Sequence, residues 1–135
     1  MGKEEKLQSD IAIAHSQRYP EKFGQLFHIS NERNNKIQAY KARSIGIVPG
    51  VADFIYISKE FNIATELKVP ASRHLVSHVK SQLRWAKVWE KQGNEWRLCR
   101  TKEEALSCYE GDFQGLTRAQ VKDMVKQVKT KTIKF

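Results

Sequence analysis

Residues 50–70 read GVADFIYISKEFNIATELKVP. The β-branched and aromatic content of 52–58 and 62–69, joined through a short polar turn at Lys59-Glu60, predicts a β-hairpin. Pro70 ends the pairing by removing a backbone donor. Each strand carries charge that a buried strand normally avoids: Asp53 at the head of the first, Glu66 and Lys68 at the tail of the second. A hairpin brings the start of one strand beside the end of the next, so positions 53 and 66 are expected to face each other across its open end. Side chains alternate along a strand, so 66 and 68 share a side.

An unpaired buried charge is costly, and these three need a partner or a task. Two opposed carboxylates repel unless a cation lies between them, and a divalent ion with oxygen ligands meets that need. The Lys68 ammonium in the same place would position or deprotonate a water, or stabilise charge building on a phosphate. The metal would polarise that phosphate and activate the water. Two acids, a lysine and a metal suit phosphodiester hydrolysis. A surface hairpin whose lysine merely pairs with an acid is the open alternative. Against it stand the apolar strands around the acids, the Pro49-Gly50 pair that introduces the first acid, and the basic remainder of the chain.

That basic character is marked: 24 Lys+Arg against 15 Asp+Glu leave a net charge of +9. Such an excess attracts polyanions, nucleic acid first and an anionic membrane surface second, unless the domain is simply basic. No apolar run approaches membrane-spanning length. The stretch MGKEEKLQSD lacks the apolar segment of a signal peptide, and the myristoylation pattern is absent. Cys99 and Cys108 lack metal-ligand spacing and are expected to be reduced thiols in a cytoplasmic protein.

A length of 135 residues suits one domain, here 1–135. Helical spacing of Leu7, Ile11 and Ala14 predicts a helix over 4–18. A short strand at 26–29, a helix over 37–44, the hairpin and a loop over 70–75 follow. Val76, Val79, Leu83 and Ala86 mark the buried stripe of a helix over 76–92. A strand over 95–99 precedes a helix capped by Thr101 and Glu104 and ending near Tyr109. Thr117 and Gln120 repeat that pattern for a last basic helix of about 117–130. The tail TKTIKF is expected to fray or to pair with a partner. The alternation of elements reads as one α/β domain.

Lys80, Arg84, Lys87 and Lys91 recur opposite the apolar stripe of the 76–92 helix. They form a basic ridge that Arg73, His74 and His78 extend toward the hairpin. Contacts of this type hold phosphates without reading sequence, and a solvated helix face is the alternative. Arg118, Lys122, Lys126 and Lys129 make a second row. Trp85, Trp89 and Trp96 are expected in the core or at a dimer contact, and His15 and His28 in ordinary packing or solvent.

GIVPGVADF followed by TELKVP resembles the PD-(D/E)xK nuclease superfamily, with Asp53, a gap, and Glu66-Leu67-Lys68. More narrowly it is similar to the VRR-NUC family, the virus-type replication-repair nucleases. Gly46, Gly50 and Asp53 match that family's G-x-x-x-G-x-x-D pattern, and Gln82 matches a glutamine on the helix after the E-x-K. ISNER at 29–33 and Glu4 to Gln8 extend the likeness, which covers about residues 4–110. The resemblance implies a restriction-endonuclease-like core, a central mixed β-sheet flanked by helices. It implies a metal-dependent DNA endonuclease acting on branched DNA such as Holliday junctions or flaps, in a bacterial or phage-infected cell. Two incisions in a junction suggest a homodimer. Asp53 and Glu66 would bind Mg²⁺ or Mn²⁺, with the Leu67 backbone carbonyl completing the shell. Lys68 would act on the water and Gln82 would orient near the site. Glu4 would add a helix-borne acid, with Glu5 and Asp10 as competitors. Members often place a serine three residues before the glutamine; here Val79 stands there, and Ser77 is expected to cap the helix instead. The other readings are a nicking or restriction-like enzyme on linear duplex, a non-catalytic DNA-binding module, and a basic protein-interaction domain.

Overall fold

A computed structural model describes residues 1–30, 40–41 and 43–135. In chain order the elements are α1 (Lys3–Arg18), a 3₁₀ turn (Pro20–Lys22), β1 (Leu26–His28), β2 (Phe54–Ile57), β3 (Asn62–Leu67), β4 (Arg73–Leu75), α2 (Val76–Lys91), β5 (Glu95–Cys99), α3 (Lys102–Tyr109), α4 (Arg118–Gln127) and β6 (Thr132–Lys134). Tyr40, Lys41, Arg43 and Ser44 are helical. The rest of the helix expected over 37–44, and residues 31–33 of ISNER, lie outside the described residues.

The expected hairpin forms. β2 and β3 pair antiparallel from Phe54↔Thr65 to Ile57↔Asn62. The turn is fastened by Ser58, whose hydroxyl donates to the Phe61 carbonyl and accepts from the Phe61 N–H. β1 pairs antiparallel with β2, and β5 pairs parallel with β3, giving a mixed four-stranded sheet in the order β1-β2-β3-β5. A parallel neighbour needs a crossover, and α2 lies between β3 and β5 in the chain.

Alternation along the hairpin divides the core into two layers. Phe54, Tyr56, Ile63 and Leu67 pack with Ile11 of α1 and with Ala105, Leu106, Cys108 and Tyr109 of α3. Ile55 and Ala64 pack on the other side with Val79 and Ala86 of α2 and Val121 and Val125 of α4. Helices therefore flank both faces of a mixed sheet. Trp96 is buried in the second layer, and Trp85 and Trp89 stack on one another against it, their ring centroids 5.3 Å apart.

The caps form as the sequence predicts. Thr101 accepts from the Glu104 N–H at the start of α3, and Thr117 and Gln120 complete a reciprocal capping box on α4. Three expectations are corrected. Residues 73–75, read as loop, form β4. The tail, expected to fray or meet a partner, folds back as β6 and pairs with β4, because Ile133 gains burial in the second layer. The N-cap of α2 is Leu75, which makes no side-chain cap, so Ser77 lies inside the helix.

Candidate active site

The β2–β3 register fixes the site. Its last pair is Phe54↔Thr65, so the next step along the ladder sets Asp53 opposite Glu66. The Leu67 N–H donates to Asp53 Oδ2 at 2.8 Å, which ties the first acid to the second strand. The Asp53 backbone is held from the other side. Its carbonyl accepts the Ile29 N–H at 2.8 Å and lies 2.8 Å from His28 Nδ1. Lys68 extends the parallel ladder by donating its N–H to the Cys99 carbonyl.

By alternation Glu66 shares a side of β3 with Ala64, the side that faces α2. Glu66 is 3% exposed and Lys68 4%, and the ammonium donates to Glu66 Oε1 at 3.3 Å. Burying such a pair costs desolvation that a surface pair avoids. Burial raises both carboxyls. Asp53 moves up from the usual aspartate value mainly for that reason, opposed by the Leu67 hydrogen bond and the Lys68 charge. Glu66 goes well above its usual value, pushed first by burial and then by the Asp53 charge. The Asp53 charge thus opposes ionisation of Glu66.

These side chains floor a cleft of about 720 Å³. Glu4, Glu5 and Gln8 of α1 line one wall, and His78, Ser81 and Gln82 of α2 line the other. Gly50 explains how the loop before Asp53 comes so near α2. Its φ is +84°, and a Cβ there would collide with the Ser81 backbone carbonyl. Glycine alone permits both the left-handed turn and the close approach.

The cleft therefore brings together Asp53, Glu66, Lys68, Gln82 and Glu4. Leu67 joins through its N–H. Asp10 does not line the cleft; it pairs with Lys6. Among the described residues, Glu66 Oε2 and Gln82 Oε1 are buried acceptors that receive no hydrogen bond. Two carboxylates, one of them with an unmatched oxygen, are a donor pair that suits a hard divalent cation, and Mg²⁺ commonly takes one or two carboxylates with water and phosphate oxygens. No group of three or more His, Cys, Asp or Glu side chains suited to a metal occurs among the described residues.

The basic ridge is exposed: Lys80, Arg84, Lys87 and Lys91 stand out from α2, with Arg73 and His78 exposed nearby. His74 leaves the ridge. It is half-buried, hydrogen-bonded to the Ser72 hydroxyl and near the Phe135 ring, and burial lowers its pKa to about 4. In the second row, Arg118 is spent on an ion pair with Glu90 at 2.6 Å, which joins α4 to α2. His15 packs among Tyr19, Tyr56 and Tyr109. His28, expected in ordinary packing or solvent, is exposed, and it also lines the cleft and touches the Asp53 backbone. A lone histidine on a short strand gave no sign of this; the β1–β2 register puts it there.

The comparisons with known proteins find no matching family model, curated protein or solved structure. No helix among the described residues is long and apolar enough to cross a membrane.

Proposed function

We propose that the chain is a metal-dependent endodeoxyribonuclease of restriction-endonuclease-like core that hydrolyses phosphodiester bonds in branched DNA, such as Holliday junctions or flaps. The supporting observation is the buried Glu66–Lys68 pair beside Asp53 on the floor of the cleft. Charges this expensive to bury commonly mark functional sites.

Asp53 and Glu66 would hold Mg²⁺ or Mn²⁺, with the Leu67 carbonyl as a further oxygen and Glu4 on the cleft wall. Bound there, the ion supplies Lewis-acid activation of the phosphate and of the attacking water. Lys68 is steered by Glu66 and would orient that water or balance charge on the phosphate oxygens. Gln82 would orient the water or phosphate from α2, and the Leu67 N–H and His28 keep Asp53 in register. Arg73, His78, Lys80, Arg84, Lys87 and Lys91 would carry the DNA backbone. A homodimer would present two sites to the two strands of a junction.

A second reading, a DNA-binding module without catalysis, draws on the lack of a three-residue metal group among the described residues. One assay separates the readings. Labelled four-way junction, flap and linear duplex are incubated with the protein in Mg²⁺, in Mn²⁺ and in EDTA. Metal-dependent cutting that favours branched DNA is the expected result. Equal cutting of linear duplex indicates a nicking or restriction-like enzyme, and binding without cutting indicates the module.

A further inference from the structure

Residues 117–135 carry six basic side chains and one acid, so five of the chain's nine net positive charges. The fold joins some of them to a distant partner. β6 returns to β4 in a register that sets Arg73 directly opposite Lys134. Like charges directly opposite on paired strands destabilise the pair, so ribbon folding does not account for them. Beside them, between the end of α4 and the ribbon, lies a shallow groove of about 390 Å³. Arg73, Gln127, Lys129, Thr130, Thr132 and Lys134 form its polar wall, and among the described residues no carboxylate lines it. The three cations are exposed, and the ion pairs among the described residues lie elsewhere.

Guanidinium, ammonium, amide and hydroxyl groups are the side chains that grip nucleic-acid phosphates. An anionic bilayer fits less well. The groove's apolar members, Met124, Val128 and Ile133, are half-buried or buried and offer no anchor for lipid. The groove is also near the cleft. Arg73 follows Lys68 by five positions, so their Cα atoms lie within about 18 Å, roughly half a helical turn of duplex.

We propose that the groove between β4, β6 and the end of α4 is a phosphate-backbone site that holds a nucleic-acid duplex beside the cleft. The choice of nucleic acid as the polyanion rests on the nuclease reading, so the test measures binding in EDTA and scores cutting separately.

Fluorescence anisotropy with a labelled duplex is followed across a salt series for the full chain, for Arg73→Ala/Lys134→Ala and for Lys129→Ala. Lys59→Ala, which removes a charge at the β2–β3 turn, is the control. The double variant should bind at least tenfold more weakly, with a log–log salt slope shallower by about two. Lys129→Ala, outside both strands, should lower the slope by about one whether or not the ribbon tolerates substitution. Lys134→Arg in the Arg73→Ala background should bind no more weakly than Arg73→Ala alone. Affinity and slope unchanged in both the double variant and Lys129→Ala overturn the proposal. So does an equal loss in Lys59→Ala, which would mark a net-charge effect, or a loss confined to vesicles containing an anionic lipid. Wild-type protein that binds through the groove but never cuts with Mg²⁺ or Mn²⁺ removes the nuclease reading and leaves the groove assignment in place.

Discussion

At the scale of single residues, the acids and the lysine of the hairpin have separable effects. Asp53→Asn keeps an acceptor for the Leu67 N–H but loses a charge, and Lys68→Ala removes the ammonium. Either should abolish cutting while leaving duplex affinity largely intact, as read by gel shift beside the cleavage assay; retained cleavage would contradict the assignment. The raised carboxyls also fix a pH dependence. A carboxyl raised in the fold costs stability when it ionises, so the penalty is absent below the unfolded value near 4 and grows as pH rises toward the folded one. Asp53→Asn relieves the repulsion on Glu66 and leaves Lys68 its partner. In EDTA at pH 8 the variant should therefore be the more stable protein by about 1 kcal/mol. The difference should close near pH 4, as measured by urea melts at the two pH values. Mn²⁺ should reverse the order, since an ion at a hundred times its Kd stabilises the wild-type fold by about 2.7 kcal/mol. A variant less stable than wild type at pH 8 in EDTA would show that the two carboxylates do not strain the fold.

At the scale of elements, what could be read from the sequence was what the chain determines locally. The opposition of Asp53 and Glu66 follows from one hairpin and one turn length, and both lie within 21 consecutive residues. The α3 and α4 caps are likewise written within four residues each. β4 and β6 escaped because each is three residues long, too short to give a periodic signal. Their pairing joins positions 73–75 to 132–134, and Ile133 burial rather than propensity holds it. Ser77 suggested a cap, yet the helix begins at Val76, whose N–H donates to the Lys131 carbonyl beside β6. Gly50 reads as part of the pair that introduces Asp53 and as a position of the glycine pattern, while its contact with Ser81 is long-range and invisible in the motif. Gly50→Ala should cost about 3 kcal/mol, combining left-handed strain with a backbone clash. Moving the Asp53 loop away from α2 should also lower the cleavage rate. Thermal melts and single-turnover kinetics check both, and a variant with unchanged stability and rate would show that the loop does not need this approach.

At the scale of the whole molecule, the two core layers leave positive charge on the outer surface. α2 buries Val79 and Ala86 against the sheet and turns Lys80, Arg84, Lys87 and Lys91 to solvent. The same helix supplies His78, Ser81 and Gln82 to the cleft, so one rigid element joins the ridge to the site. On the proposed reading, a polyanion lying along the ridge would meet the cleft at a fixed orientation, and the ridge would contribute affinity rather than chemistry. Lys80→Ala/Arg84→Ala should weaken duplex binding and reduce the log–log salt slope by about two, since each lost phosphate contact removes about 0.9. Cleavage at protein concentrations that restore full binding should keep the wild-type rate, because neither side chain belongs to the Asp53, Glu66 and Lys68 group. Anisotropy across a salt series, paired with single-turnover cleavage at saturating protein, reads the two quantities separately. An unchanged slope would place the bound nucleic acid on another face. A rate that stays low after binding is restored would give the ridge a part in the chemistry.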